Sequence, residues 1–130
     1  IGTFKKKSLF IKQIATSLLK DTNGIVPNDR EYLKTLSGVG PKTINVFLAE
    51  YYHVEAIAVD THVSRVSKRL NLCKQSSTPS EIEKILMKKV PKERWIKTHH
   101  QLIFFGRYHC KAIKPNCTNC KLKDICTYNK

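Results

Sequence analysis

An all-α fold is predicted, on three observations. Apolar residues recur at helical spacing in six successive stretches, helix-starting and helix-stopping residues fall between them, and no stretch alternates in the manner of a strand. The chain has 130 residues, of which 41% are hydrophobic, with only five Gly and five Pro. That composition excludes a disordered tail and collagen-like or low-complexity sequence. No apolar run approaches the ~20 residues needed to cross a bilayer. The first residues lack a signal peptide's apolar stretch, so no membrane is expected and an intracellular location is, cytoplasm and nucleoid in a bacterium.

Residues 5–20 place Leu9, Phe10, Ile11, Ile14, Ala15, Leu18 and Leu19 at helical spacing, and Asn23-Gly24 ends this amphipathic run. Pro27-Asn28-Asp29 opens a short second helix carrying Tyr32, Leu33 and Leu36. Ser37-Gly38-Val39-Gly40 makes a turn, and Pro41 suits the first position of a third helix that runs to about Tyr51. After the apolar segment Ala56 to Val59, Asp60 caps a fourth helix with Val63, Val66 and Leu70 inward. Thr78-Pro79-Ser80-Glu81 is a capping box ahead of Ile82, Ile85, Leu86 and Val90. A sixth helix begins near Pro91, with Trp95, Ile96, Leu102, Ile103 and Phe105 inward, and ends at Gly106 or Tyr108. From Cys110 onward apolar periodicity stops and cysteines take over.

Charge bounds the partner. With 24 Lys plus Arg against 10 Asp plus Glu, the formal charge is +14, and nucleic acid is the commonest polyanion met by such a chain. A lysine-rich surface without a partner is the alternative, so position must decide. In Leu36-Ser37-Gly38-Val39-Gly40-Pro41-Lys42-Thr43, the two glycines permit backbone geometry closed to other residues and let a phosphate approach the amides. The third helix begins there, so its free N–H groups and positive dipole end point the same way. This is a helix-hairpin-helix pattern for gripping one phosphate, with Gly38, Val39, Gly40, Lys42 and Thr43 as the candidate contacts. Lys42, in the first helical turn, is also a candidate nucleophile, and Asp60 is a lone carboxylate that can serve both as helix cap and as catalytic group.

Cys110, Cys117, Cys120 and Cys126 are separated by six, two and five residues. One loop can wrap all four thiolates around a single centre, and one C-x2-C pair flanked by single cysteines matches a cubane [4Fe-4S] cluster better than a zinc ribbon's two pairs. Zinc and two disulfides are the minor alternatives, the latter disfavoured where thiols stay reduced. Cys73 reads as a small core residue. Lys111 and Lys114 lie between the first two ligands, with Lys121 and Lys123 further on, so the loop can contact phosphates.

Taken in order, Leu36 to Thr43, then Ala58 to Val66, then Gly106-Arg107-Tyr108-His109-Cys110 leading into C-x6-C-x2-C-x5-C, these residues resemble the endonuclease III family of DNA glycosylases. The resemblance covers essentially the whole chain. It implies a helix-hairpin-helix glycosylase fold: residues 1–59 part of a helical barrel with the hairpin at about 29–51, 60–109 the helices of the cluster domain, and 110–130 the iron–sulfur loop and tail. It implies base-excision repair of double-stranded DNA by a monomer. Lys42 would attack C1′ of a flipped-out oxidised pyrimidine nucleotide, the resulting Schiff base would undergo β-elimination on the 3′ side, and Asp60 would assist. Related adenine-mismatch glycosylases lack the lysine, and thymine-mismatch relatives carry Tyr there. Pro41 stands where many bacterial members carry Arg or Lys, which removes one phosphate contact. Family members are longer, and Ile1 falls well inside their pattern. The chain is therefore expected to be the C-terminal portion, with a gap-filling loop around Gly2-Thr3 and the first barrel helices preceding it. The alternatives are a DNA-binding fragment without catalysis and a monofunctional mismatch glycosylase.

Overall fold

The computed structural model describes residues 3–128, so Gly2 of the expected gap-filling loop lies outside the described residues, as do Ile1, Asn129 and Lys130. Six α-helices follow in order: α1 Phe4–Thr22, α2 Arg30–Thr35, α3 Pro41–Tyr52, α4 Thr61–Arg69, α5 Pro79–Lys89 and α6 Trp95–Phe104. No strand occurs among the described residues.

The ends of these helices are fixed by local chemistry. Asn23 turns left-handed (φ 53°) after α1, and its amide bonds back to the Leu18 carbonyl. Asp29 accepts from the Glu31 and Tyr32 amides at 2.9 and 3.1 Å to start α2. Asp60 accepts from Val63 N at 2.8 Å to start α4. The capping box of α5 is complete: Thr78 Oγ1 accepts from Glu81 N at 3.3 Å, and Thr78 N donates to Glu81 Oε2 at 2.7 Å. Those bonds to Thr78 hold the Glu81 carboxyl below its ordinary 4.5.

Two apolar clusters result. Leu33, Leu36, Ile44 and Leu48 join α2 to α3, with Ile14 of α1 against them. Ile57, Val59, Val63, Cys73, Ile82 and Leu86 join α4 and α5, with Trp95, Leu102 and Ile103 of α6 packed on them. The segment Ala56–Val59 connects the two and is buried without being helical. Its polar backbone needs partners there, and buried Asn45 supplies one: Nδ2 lies 3.4 Å from the Ile57 carbonyl and 2.9 Å from Glu83 Oε1. Burial also pushes the Cys73 thiol up, which leaves it an inert core residue.

Two expectations are corrected. Of the apolar residues of α1 only Leu18 is buried, while Leu9, Ile11 and Leu19 are exposed, because little of the described chain packs across that face. The sixth helix is three pieces: a 3-10 turn Lys92–Arg94, then α6, then a π turn Phe105–His109. The wide turn, closed by Cys110 N donating to the Phe105 carbonyl at 2.8 Å, sets Gly106 against α4. A Cβ at Gly106 would lie 3.0 Å from His62 Cβ and 3.1 Å from Val66 Cγ2, closer than a helix with a side chain there allows.

Fully buried Ile82 and 68%-exposed Ile11 make a direct comparison. Ile82→Ala is expected to cost about 2–5 kcal/mol and Ile11→Ala no more than about 0.5 kcal/mol, measured by urea unfolding.

Candidate functional site

The hairpin between α2 and α3 is built from a tight turn and an uncapped helix. Val39 N bonds the Leu36 carbonyl at 3.1 Å, and Val39 packs into the α2–α3 cluster, which anchors the turn. Gly38 has φ 73°, a conformation that favours glycine, and an added methyl would sit on the Phe10 ring of α1. Gly40 is different. Its φ is −103° and a Cβ there would meet nothing within 4 Å, so glycine is not required by the backbone at that position, contrary to the sequence expectation. No side chain caps α3 and its first turn holds no acid. Its leading amides therefore face solvent at the positive end of the helix dipole. Lys42 and Thr43 are exposed on that same turn.

Lys42 and Asp60 come from different elements, α3 and the N-cap of α4, yet they line the same two clefts. One, of about 590 Å³, also takes in Ser64, Arg65, Lys68, Arg69 and Tyr128. The other, of about 780 Å³, takes in Thr43, Phe47, Glu50, His99 and His100. Both volumes suit a nucleotide-sized ligand. Asp60 is half-buried and, apart from its cap bond, free to face either cleft; neither it nor Lys42 is engaged in an ion pair among the described residues.

His99 is a residue the sequence reading did not single out. It is only 4% exposed and its Nδ1 has no hydrogen-bond partner. Burial holds its pKa below the ordinary 6.5, reinforced by His100; the Ala58 carbonyl, Asp60 and Glu50 pull the other way. A histidine on an apolar helix face carries no distinguishing sequence signal, so only the cleft reveals it.

The four cysteines 110, 117, 120 and 126 line one cavity, together with Leu70 and Phe105. All are free, half-buried thiols. Among the described residues no group of three or more Cys, His, Asp or Glu side chains is placed to share one metal ion. Arg69 ties the loop to the end of α4. Its Nη1 lies 2.7 Å from the Lys111 carbonyl and 3.3 Å from Cys110 Sγ, and Nη2 lies 3.2 Å from the Ala112 carbonyl. Its own carbonyl accepts from Thr127 N at 3.0 Å and from Cys126 Sγ at 3.4 Å. The guanidinium stacks 3.7 Å from the Tyr128 ring centroid. One turn earlier, Arg65 donates to the Gly106 and Cys110 carbonyls at 2.6 and 3.2 Å. Lys111 and Lys114 are exposed on this loop, Lys114 with left-handed φ of 50°.

Comparison with known proteins gives the following. The family model described as HhH-GPD superfamily base excision DNA repair protein matches residues 1–92. The chain is similar to Endonuclease III of Bacillus subtilis (strain 168), 52% identical over 126 residues, which is 97% of this chain and 58% of that protein. It is 41% identical over 130 residues to Endonuclease III of Escherichia coli (strain K12), all of this chain and 61% of that one. The chain thus spans about three-fifths of these relatives. Among solved structures it superposes on a trapped Endonuclease III–DNA covalent intermediate, an estranged-adenine complex, with a TM-score of 0.94 at 50% identity, covering 98% of this chain and 60% of the other. A thermostable thymine-DNA glycosylase gives a TM-score of 0.82 at 23% identity, covering 95% and 58%, a likeness of fold alone.

The two glycines should part company. Gly38→Ala is expected to lose at least about 1–2 kcal/mol from its left-handed backbone, whereas Gly40→Ala leaves stability unchanged or raises it by up to about 1 kcal/mol. Thermal melts of both variants decide this. For His99 the pKa is lower folded than unfolded, so its contribution is neutral above pH 6.5 and becomes destabilising as pH falls through that value, where the unfolded chain takes up the proton first. Urea midpoints should decline from neutral toward acid pH, and decline less in His99→Asn.

Proposed function

The chain belongs to the HhH-GPD superfamily of base excision DNA repair proteins, and from that premise we propose that it carries the catalytic lysine and aspartate of a bifunctional DNA glycosylase and AP lyase acting on oxidised pyrimidines. The observation that carries this reading is that Lys42 and Asp60, 18 positions apart in sequence, line the same nucleotide-sized clefts.

The hairpin holds one phosphate. Its free α3 amides and dipole end attract the anion, and the open space before Gly40 lets a phosphate oxygen come close to the backbone. A base still stacked in the duplex is out of reach of Lys42, so the nucleotide is extruded into the cleft first. The neutral Lys42 amine attacks C1′, the base leaves, and the C1′–nitrogen bond becomes a Schiff base once the sugar ring opens. Loss of a C2′ proton then breaks the C3′–oxygen bond and the strand. Asp60, held by its bond to Val63 N, stabilises the positive charge that develops on the sugar. Arg65, Lys68 and Arg69 along the same cleft, with Lys111 and Lys114 on the cysteine loop, attract the flanking phosphates.

A [4Fe-4S] cluster fits the cysteine cavity. The donor set suits it, since four free thiols at the spacing C-x6-C-x2-C-x5-C line one cavity. Zinc, with sulfurs at about 2.3 Å, requires four sulfurs drawn tightly around one point, whereas each cysteine of a cubane holds a different iron. Arg69 and Arg65 would orient the loop, and the cluster would supply a fixed centre that staples it.

Borohydride reduction with abasic-site duplex is expected to trap a covalent adduct that Lys42→Ala abolishes; a persistent adduct in the variant would remove Lys42 as nucleophile. Gly40→Ala should weaken duplex binding despite its intact fold, and Lys114→Ala should lower the salt dependence of binding by about one unit of slope. The purified chain should be brown, with iron and acid-labile sulfide in equal amounts. A colourless preparation with stoichiometric zinc overturns the cluster assignment.

A further inference from the structure

We propose that His99 is the proton acceptor of the lysine–aspartate cleft, taking the proton that Lys42 must release before its amine can bond to C1′. This rests on the lyase reading above and adds a residue to it.

Attack requires a neutral amine. One Nζ–H bond of the Lys42 ammonium must break, and the proton must go to a base. The acidic groups on the cleft are poorly suited to hold it. Asp60 is committed to its cap bond and to charge stabilisation, and Glu50 is paired with His100 at 2.7 Å. An imidazole is the stronger base, and histidine is the usual choice for such a transfer. His99 lines the cleft with Lys42 and Asp60, and its Nδ1 is a buried nitrogen with no partner. A buried polar atom left unpaired is costly, so one that persists beside a candidate site calls for a use. The transfer requires that a rotation of the imidazole about χ2, or one intervening water, connect the buried Nδ1 with the cleft that the ring lines.

The surrounding charges suit the transfer. Acting on His99 are Glu50 from α3, Asp60 from the start of α4 and His100 from its own helix, and Lys42 of α3 lines the same cleft. While Lys42 is an ammonium, a neutral His99 avoids placing a second positive charge in the same cleft. Once Lys42 has lost its proton, Asp60 and Glu50 are left to favour an imidazolium. The N–H bond broken at Nζ is thus matched by one formed at Nδ1, and the total charge of the cleft stays constant. Burial keeps the resting imidazole neutral, ready to accept.

The test pairs kinetics with spectroscopy on the chain and on its His99→Asn and His99→Gln variants. Single-turnover Schiff-base formation on a preformed abasic duplex, read by borohydride trapping across pH 5–9, should be slowed at least tenfold in His99→Asn, with folding and duplex affinity retained. Below the His99 pKa the wild-type log rate should rise with a slope of about one and level off above it, because the Lys42 proton passes to a neutral His99 with no net loss to solvent; the variants, which must shed that proton to solvent, should keep rising with a slope of about one up to pH 9. Equal profiles in wild type and variants overturn the inference while leaving Lys42-dependent trapping intact. Absence of Lys42-dependent trapping in the wild type instead overturns the lyase reading. Nitrogen-15 NMR of the His99 ring provides the second readout, independent of turnover. A bare Nδ1 at neutral pH, with a ring pKa that falls further in Asp60→Asn, supports the proposal; a protonated Nδ1 at neutral pH, or a pKa indifferent to Asp60, overturns it.

Discussion

Arg69 holds both ends of the cysteine loop to the last turn of α4, and the C-terminal half takes its form from that attachment. The guanidinium binds the Lys111 and Ala112 carbonyls and Cys110 Sγ near the start of the loop. The Arg69 carbonyl binds Thr127 and Cys126 near its end. At 8% exposure this is a nearly buried cation, and it is kept there by three acceptors and an aromatic face rather than by a carboxylate. α4 is nine residues long, about 13 Å. Its other end is Asp60. A single rigid rod therefore has the carboxylate of the cleft as its first contact and the cysteine loop as its last, and Arg65 midway bonds the π turn that delivers Cys110.

The clefts inherit their electrostatics from this arrangement. Lys42, Arg65, Lys68 and Arg69 border one cleft with Asp60 as its carboxylate, so part of the chain's excess charge lies where it would attract a phosphate-bearing ligand. The opposite cleft carries Glu50 and two histidines and is closer to charge balance. Lys42 belongs to both, standing between a surface suited to holding the nucleic acid backbone and one suited to proton exchange.

Much of the helical framework was legible because its signals are local. Asp29, Asp60 and the Thr78–Glu81 box act on amides two or three residues away, and Asn23-Gly24 ends α1 by its own backbone. The hairpin and the cysteine spacing were legible for the same reason. What escaped the sequence depends on distant partners. Leu9 and Ile11 follow the period of a buried face but have nothing across from them. The π turn sets Gly106 close against α4, a contact between distant residues, and Arg69 is one of 24 Lys and Arg until Tyr128 and the loop carbonyls surround it. His99 was invisible because burial, not residue type, sets its chemistry. Gly38 and Gly40 look alike in sequence, yet only the first serves the backbone.

The buried link Ala56–Val59 has a further effect, on how the molecule comes apart. Asn45 binds the Ile57 carbonyl and Glu83 at once, across 38 positions of sequence, and so joins α3 to α5 through the segment between the two apolar clusters. Opening either cluster alone strands a carbonyl in an apolar surround, a penalty that each cluster imposes on its neighbour. The two then behave as one cooperative unit, whose amides exchange with solvent at a shared free energy, while α1, with a single buried side chain, opens independently at much lower cost.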